Sequence, residues 1–283
     1  MDQPDNDHDY EQRQLMLIRE WRDTPPSIVS EAIGKVAAPV AWVVSKVIPT
    51  AAVEGALRGA DWLARSSTRD DWAIVDAGVA DAAELCALPL RRLDGIADGF
   101  HNNAIRIATG EGVAAGAFGI FGMVVDVPAV ITLALRTIRG IGRAYGYDAD
   151  DDAERQFALG VLSAAGANSI AEKAAALAQL QALKVTVAKV TFKQMARTAA
   201  SRPVSNEAAV LAIRGVARQL GVNLTKRKIA QAIPYIGAAV GGAVNGAFNG
   251  DVGWAARRAY QARLLEDRGV VPEPALPTFS NGG

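Results

Sequence analysis

The longest apolar run of the chain covers residues 112–135 and contains one charged residue, Asp126, and one proline, Pro128. As a straight α-helix this run would reach about 36 Å, enough to cross the hydrocarbon core of a bilayer. A carboxylate at mid-membrane costs about 3 kcal/mol, and a proline removes a helical N–H group. The sequence therefore predicts two short helices that meet near Asp126, either buried in a helical core or forming a hairpin that dips into lipid.

A second apolar stretch, residues 232–248, contains no charged residue and two pairs of glycines at helical spacing. The pairs Gly237/Gly241 and Gly242/Gly246 give a helix small faces that let another helix approach closely. Such faces are as compatible with packing inside a soluble bundle as with packing in a membrane.

Alanine and glycine dominate the apolar residues, and aromatic residues make up only 6% of the chain. This composition favours closely packed helices over a β-sandwich, which is richer in valine, isoleucine and tyrosine. Residues 185–192 are β-branched and roughly alternating, but no second run of this type could pair with them. We therefore predict an all-α fold, a single multi-helix domain with two glycine-rich apolar helical segments, in which residues 185–192 are helical.

Helix signals place one all-helical domain at residues 10–268, between a disordered acidic tail at 1–9 and a flexible tail at 269–283. Ser169 and Glu172 form a capping box that opens a long helix. Other predicted helices cover residues 10–23, 70–86, 88–108 and, beginning at Asp251, about 251–268.

Charge is strongly segregated along a chain whose formal net charge is zero. Residues 1–100 carry a net charge of −7, and residues 172–228 carry 11 basic and 2 acidic residues, a net charge of +9. Such a block attracts nucleic acid or anionic lipid, unless it is a solvated helix face balanced by the acidic first third. It holds one aromatic residue, Phe192, whereas proteins that bind single-stranded nucleic acid interleave several. We therefore expect an anionic phospholipid membrane as the partner and not nucleic acid.

Three consecutive cations follow Thr225 at a predicted helix start, where they oppose the helix dipole. An anion bound there would satisfy both the cations and the free N–H groups of the helix. The long helix before them carries a basic stripe at helical spacing. The predicted headgroup-binding residues are Lys226, Arg227, Lys228, Lys189, Lys193 and Arg197, and the predicted membrane-inserting residues are Phe118, Phe121 and Met123.

Four polar residues are predicted to be buried: Asp126, Arg136, Asn245 and Arg257. Asp126 needs a partner if it is buried, because an unpaired charge in an apolar core is strongly destabilising. The candidate partners are Arg227, Lys228, Arg257 and Asn245. Two interpretations follow: an ion pair that fixes helix register, or a polar site in an apolar cavity that holds a lipid headgroup.

The chain has one cysteine, Cys86, and two histidines, which excludes an intramolecular disulfide and a histidine-rich metal site. It contains no nucleophile elbow, no H-E-x-x-H and no Cys-x-x-Cys motif. We therefore expect no catalytic residue, no metal and no cofactor. Cys86 is interpreted as a small core residue, and His101 as a surface or hydrogen-bonded histidine.

Two long blocks, residues 126–166 and 224–266, carry an ordered set of motifs. In the first block the characteristic positions are Asp126, Pro128, Arg136, Tyr145, Gly146, Tyr147, Asp148 and Arg155. In the second they are Lys226, Gln231, Pro234, Gly237, Gly241, Gly242, Asn245, Asp251, Ala255, Arg257 and Tyr260. Both blocks resemble the EcsC protein family, bacterial proteins named after the third gene of an ABC-transporter operon. The resemblance implies a mostly helical cytoplasmic protein with an accessory role around membranes or export, and it carries over no catalytic residue.

The first ten residues are acidic and show no signal peptide, so we expect a cytoplasmic protein, peripheral to the inner membrane. The predicted function is a non-catalytic membrane-associated or lipid-binding role at the cytoplasmic face, accessory to transport or export. An ABC transporter or another membrane protein is a further expected partner, and the oligomeric state is not predicted. Two alternatives stay open: a soluble regulatory subunit that binds a transporter or other protein, and an enzyme acting on a lipid or its headgroup with Asp126 as acid or base.

Overall fold

The computed structural model describes residues 6–25, 59, 72–116, 119–147, 152–167, 169–181 and 237–271. For residues 110–116, 119–129 and 237–245, among others, it describes the backbone alone. Within these described segments there are eight helices and no strand, which confirms the all-α prediction. The predicted helix at 185–192 lies outside the described residues.

The eight helices are numbered in chain order. They are α1 (Asp7–Asp23), α2 (Trp72–Ala77), α3 (Ala82–Ala87), α4 (Leu90–Gly116), α5 (Gly119–Ala144), α6 (Asp152–Ala165), α7 (170–181) and α8 (Gly237–Asp267). None of the helices in the described segments is both long and apolar enough to cross a bilayer.

The centre of the fold is formed by α4, α5 and α8, each of which packs against the other two. Helix α6 covers α5 and α8, and α1 lies against α4 and α8. Small side chains allow close approach of these helices: Ala97, Ala134, Ala256 and Ala262 are fully buried. Larger buried side chains fill the space between the layers, and these include Tyr145, Tyr260, Phe157, Phe248 and Leu135.

Helices α4 and α8 run antiparallel in one constant register over about four turns. Each advance of three or four residues along α8 corresponds to a similar retreat along α4. The facing pairs are Asp94 and Gln261, Asp98 and Arg257, His101 and Gly253, Ile105 and Gly250, and Thr109 and Gly246. Continued in this register, the start of α8 at Gly237 lies level with the end of α4 at Gly116.

The apolar run 112–135 differs from the predicted pair of helices that meet near Asp126. Helix α5 is continuous from Gly119 through Asp126 and Pro128 to Ala144, so no break occurs near Asp126. A proline inside a helix removes one hydrogen bond and costs about 3 kcal/mol. Packing of the buried stripe that follows, which includes Val130, Ile131 and Ala134, is large enough to offset that cost.

Other helix ends also differ from the sequence predictions. Helix α1 begins at Asp7, inside the predicted disordered tail, since acidic residues in the first turn complement the helix dipole. The predicted helix at 70–86 is divided into α2 and α3, because the chain turns at Gly78 with a φ of +68°. The predicted helix start at Asp251 lies in the middle of α8, which is a single helix of 31 residues.

One half of the predicted capping box is present at the start of α7. The backbone N–H of Glu172 donates a hydrogen bond of 3.1 Å to Oγ of Ser169, which satisfies one free donor of the first turn. Local side-chain chemistry of this kind is legible from sequence because the two partners are three residues apart.

Candidate functional site

A buried carboxylate, Asp94, lies at the seam between α4 and α8 and is 2% exposed. Its oxygens accept hydrogen bonds from Tyr10 Oη at 2.7 Å, Tyr145 Oη at 2.5 Å and Gln261 Nε2 at 2.7 Å. The three donors belong to α1, to the residue that follows α5, and to α8. A buried carboxylate is strongly destabilising unless such donors surround it, so Asp94 fixes how four parts of the chain meet.

The two tyrosines donate hydrogen bonds to this carboxylate. Burial raises the pKa of both Tyr10 and Tyr145, and the neighbouring Asp94 raises both values further. The positive charge of Arg257 acts in the opposite direction on both phenols, and burial is the largest cause. Both hydroxyls are therefore protonated at neutral pH and keep Asp94 hydrogen-bonded.

Arg258 of α8 extends the network away from the carboxylate. Its guanidinium donates hydrogen bonds of 2.8 Å to the side-chain oxygens of both Gln14 and Gln261. Gln261 therefore accepts from Arg258 and donates to Asp94, and one amide links the two opposite charges. Burial lowers the pKa of Arg258, and the adjacent positive charge of Arg257 lowers it further.

Arg257 connects the buried polar network to Trp254 at the surface. Its guanidinium forms an ion pair with Asp98, which lies one turn after Asp94 on α4. The guanidinium carbons of Arg257 and Arg258 lie 4.7 Å and 5.1 Å from the centre of the Trp254 ring. Cations close to an indole ring in a partly desolvated setting are stabilised by the ring quadrupole. Trp254 is 43% exposed, so it is a point at which the network meets solvent.

His101 lies on the same face of α4 and is 2% exposed. Its ring is hydrogen-bonded to the backbone of Gly250, meets the Trp254 ring edge-on, and packs directly against Gly253. Its Nε2 atom has no hydrogen-bond partner among the described residues. Burial, followed by the positive charge of Arg257, lowers the pKa of His101, so the imidazole is neutral in the fold.

This buried histidine predicts an acid-sensitive fold. Because the pKa of His101 is lower folded than unfolded, the unfolded chain binds more protons, and stability falls as pH falls below about 6.5. Arg257 on α8 disfavours the added charge and Asp98 on α4 partly compensates for it. Urea unfolding should show that the free energy of unfolding falls less between pH 7.5 and pH 5.5 for His101→Phe than for the unchanged chain. His8→Asn, at an exposed position, is the control and should leave the loss unchanged; equal losses in all three proteins would contradict the prediction.

A cleft of about 210 Å³, lined in part by Trp254, lies between the end of α1 and helices α6, α7 and α8. The cleft contains Lys173 of α7, which is 5% exposed. The Lys173 ammonium donates hydrogen bonds to the backbone oxygens of Trp21 and of Thr24, the latter at 3.1 Å, and lies 4.2 Å from the centre of the Trp21 ring. Lys173 therefore binds the carbonyl end of α1, where a cation also complements the helix dipole.

The walls of the cleft are mostly apolar. Burial lowers the pKa of Lys173 to about 8, against the opposing effects of Asp251 and Asp23. At neutral pH the ammonium is therefore still mostly charged. The lining residues other than Lys173 are Trp21, Thr24, Pro25, Ala164, Ala165, Ala167, Asp251, Trp254 and Ala255.

A second polar cluster joins α6 to the end of α8. The Arg263 guanidinium lies between the rings of Tyr147 and Phe157, 4.1 Å and 4.9 Å from their centres. It pairs with Glu154 at 2.5 Å and with Asp267 at 3.7 Å, and Tyr147 Oη donates to Asp267 at 2.8 Å. Burial lowers the pKa of Arg263, but the charge and hydrogen bond of Glu154 outweigh it, so the pKa is raised. The cluster is an enclosed ion pair that holds α6 in place.

For most of the predicted site residues, the structure describes no side chain. Lys226, Arg227, Lys228, Lys189, Lys193, Arg197 and Phe118 lie outside the described residues, and for Phe121, Met123, Asp126 and Asn245 the backbone alone is described. These assignments stay predictions.

The structure describes the side chains of the two remaining predicted residues. Arg257 is 6% exposed, as predicted, and it pairs with Asp98, whereas the sequence indicated it as a candidate partner of Asp126. Arg136 differs from the prediction of a buried side chain, because it is only partly buried. Thr132, one turn earlier on α5, is also partly buried, so these two positions share the less covered face of that helix.

Asp94, His101 and Lys173 were not predicted as site residues. A periodic signal for two of them is present in α4, whose buried residues recur at three- and four-residue spacing. That stripe is formed by Leu90, Leu93, Ala97, Ala104 and Ala108, and His101 lies between Ala97 and Ala104. Asp94 follows Leu93 beside the stripe. A polar residue inside an apolar period indicates a buried polar contact, although it does not identify the partner.

Comparison with known proteins identifies the family. The profile of the EcsC protein family matches residues 12–265, nearly the whole chain. The chain belongs to the EcsC protein family. A relative with the printed name uncharacterized protein YdbA, from Bacillus subtilis strain 168, is 35% identical over 108 residues. That alignment covers 38% of this EcsC chain and 38% of the relative, and no solved structure matches.

The two blocks that resemble EcsC proteins contact each other in the fold. Tyr145 and Tyr147 follow α5, and their rings lie 6.5 Å and 5.3 Å from the ring of Tyr260 on α8. From the second block, Asp251 and Ala255 line the cleft. Three of the described EcsC motif residues, Tyr145, Tyr147 and Tyr260, therefore lie together where the end of α5 meets α8, beside the Asp94 network.

The described part of this EcsC protein contains no group of three or more histidine, cysteine, aspartate or glutamate residues that could hold a metal ion. Asp94 is already hydrogen-bonded to three donors, and Asp98 is paired with Arg257. These contacts suit the network to positioning helices, and the cleft beside it offers room for a ligand.

Proposed function

We propose that this EcsC protein is a non-catalytic helical protein that docks reversibly on anionic bilayers, at the cytoplasmic face of the inner membrane, in an accessory role in transport or export. The observation that supports the proposal is the antiparallel register of α4 and α8, which, continued beyond the last facing pair, brings three apolar helix ends level with one another. These are the end of α4, the start of α5 and the start of α8.

The register of the α4–α8 pair supports this arrangement. The facing contacts end at Thr109 and Gly246, and both helices continue beyond them. Helix α8 extends nine residues further, to Gly237, which is about 14 Å at helical rise. Helix α4 extends to Gly116, where α5 begins three residues later and packs against both.

The three helix ends belong to the two apolar maxima of the sequence. Residues 112–125 and 237–248 contain no charged side chain. Amphipathic and apolar segments that lie in the interface bury about 5–10 Å of their depth in the headgroup and acyl boundary. Shallow insertion of this kind does not require a spanning helix.

Electrostatic attraction would add a second contribution to the membrane affinity, beside that of apolar insertion. Each basic residue near an anionic surface contributes about 1 kcal/mol, and residues 172–228 carry a net charge of +9. Six or seven well-placed basic residues are therefore sufficient for reversible docking. Lys226, Arg227 and Lys228 are the residues we assign nearest to the headgroups.

Co-sedimentation with vesicles tests the electrostatic half. We expect binding to vesicles that contain anionic phospholipid and weaker binding to neutral vesicles, with a loss as salt rises from 0.1 M to 1 M and the Debye length falls from about 10 Å to about 3 Å. Changing Lys226, Arg227 and Lys228 to glutamine should reduce binding at low salt. The matched control, Lys226→Arg with Lys228→Arg, keeps the charge and should bind normally. Equal binding to neutral and anionic vesicles would remove this half of the proposal.

The apolar half is tested at high salt. Phe121→Ser should reduce the salt-resistant binding, because apolar transfer does not depend on ionic strength, whereas Phe121→Leu should keep most of it. A chain that remains folded and binds neither type of vesicle would overturn the proposed function.

A further inference from the structure

The cleft beside Trp254 places two opposite charges among apolar walls. Lys173 contributes an ammonium group and Asp251 a carboxylate, while two indole rings and four alanines form much of the remaining surface. Two of the three ammonium hydrogens of Lys173 are directed to the backbone oxygens of Trp21 and Thr24. The ammonium is thereby held in place, and one donor is left for the cleft.

The volume of the cleft limits what it can hold. An engineered apolar cavity of about 150 Å³ is large enough for benzene, which has six non-hydrogen atoms. A cleft of about 210 Å³ therefore accommodates a molecule of about seven to ten non-hydrogen atoms. Amino acids with aliphatic side chains and phosphoethanolamine fall in this range.

We propose that the cleft binds a small zwitterion, with its anionic group on the Lys173 ammonium and its cationic group facing Asp251 and the Trp254 ring. An aliphatic part of such a ligand would contact Ala164, Ala165 and Ala255. This site is separate from the apolar helix ends, and it does not depend on the proposed membrane docking.

Ligands with other charge patterns fit the cleft less well. A simple cation would be attracted by the indole rings and Asp251 but repelled by Lys173. A simple anion would meet the carboxylate of Asp251. A neutral apolar molecule would displace water from both charged groups without adding a hydrogen bond to either, which is unfavourable in a partly buried site.

Three probes with the same branched carbon skeleton test the charge pattern by isothermal titration calorimetry. L-leucine carries both charges, 4-methylpentanoate lacks the ammonium group, and 3-methylbutylamine lacks the carboxylate. Phosphoethanolamine is added to distinguish a lipid headgroup from a free amino acid as the source of the zwitterion. We expect one zwitterion to bind at least tenfold more tightly than both singly charged probes. Equal affinities, or no binding by either zwitterion, would overturn the proposal.

Variants locate the binding. Lys173→Met should weaken binding of the zwitterion at least tenfold. Asp251→Asn should also weaken binding of the zwitterion, and it should remove the preference of the site for the zwitterion over 4-methylpentanoate. Ala165→Leu fills the cleft and should abolish binding with both charges intact, which keeps the test valid if Lys173→Met loosens α1. Asp76→Asn, at an exposed position of α2, is the control and should bind normally. Binding that survives Ala165→Leu in a folded protein would place the ligand elsewhere and overturn the assignment.

The pH dependence gives an independent readout. Since the pKa of Lys173 is about 8, affinity should fall as the ammonium loses its proton between about pH 7 and 8.5, while Asp251 and Asp23 stay charged and the ammonium group of the zwitterion, which titrates at higher pH, is still mostly protonated. An affinity that does not change over this range would contradict the role of Lys173.

Discussion

Replacing Asp94 with alanine is expected to lower the free energy of unfolding by about 3–5 kcal/mol. The change removes a carboxylate that accepts hydrogen bonds from Tyr10, Tyr145 and Gln261, and it leaves all three donors in a buried space. The negative charge that balances Arg258 is lost at the same time. Urea unfolding followed by circular dichroism measures the effect.

An exposed aspartate provides the comparison. Asp76→Ala, on the exposed face of α2, should change the free energy of unfolding by less than about 0.5 kcal/mol. Asp94→Asn keeps one acceptor oxygen and should fall between the two. If Asp94→Ala cost no more than Asp76→Ala, the network would not contribute to stability.

Replacing Gly253 with alanine should destabilise the protein by about 1–3 kcal/mol. A Cβ atom at this position would overlap the ring of His101, which is buried between α4 and α8 and cannot swing into solvent. The overlap could be relieved only if α8 moved along α4. Because the two helices share one register, that movement would also disturb the pairs formed by Asp94 and Asp98. The loss should appear despite the better helix propensity of alanine, which favours the variant by about 1 kcal/mol.

Gly99→Ala is the matched control on the facing helix. Gly99 is exposed on α4, and no atom lies within 4 Å of the Cβ it would gain. We expect a gain of about 0.5–1 kcal/mol from helix propensity alone. If the two Gly→Ala changes, both inside helices, alter the free energy of unfolding in opposite directions, the contact with His101 decides the effect of Gly253→Ala. A change in the same direction for both would refute that explanation.

A double-mutant cycle gives a second test. The double change His101→Ala with Gly253→Ala should show a coupling energy of about 0.5–3 kcal/mol.

Features that depend on neighbouring residues were predictable from the sequence. The bond between Ser169 and Glu172 and the all-helical fold follow from local spacing and composition. The continuity of α5 through Pro128 did not follow, because local preference favours a break there and packing of the buried stripe that follows overrides it.

The polar network was predicted only in part. Arg257, Tyr145 and Tyr260 were among the positions that resemble EcsC proteins, and Arg257 was a candidate for burial. Their partners could not be identified in this way, because Tyr10 and Asp94 are 84 residues apart and Lys173 and Thr24 are 149 residues apart. A helical period shows which face of a helix is buried, but it contains no information about which distant residue lies opposite.

The contacts of α1 have a consequence for synthesis. Gln14 meets Arg258 across 244 residues, and Glu11 meets Arg268 across 257 residues. A ribosome that adds about 5–20 residues per second needs roughly 12–50 s to make the intervening chain. During that interval Leu15 and Ile18, which are buried against other helices in the fold, have no access to α8. The contacts of α1 with α8 are therefore among the last to form, and the apolar face of α1 is not fully covered until α8 has been made.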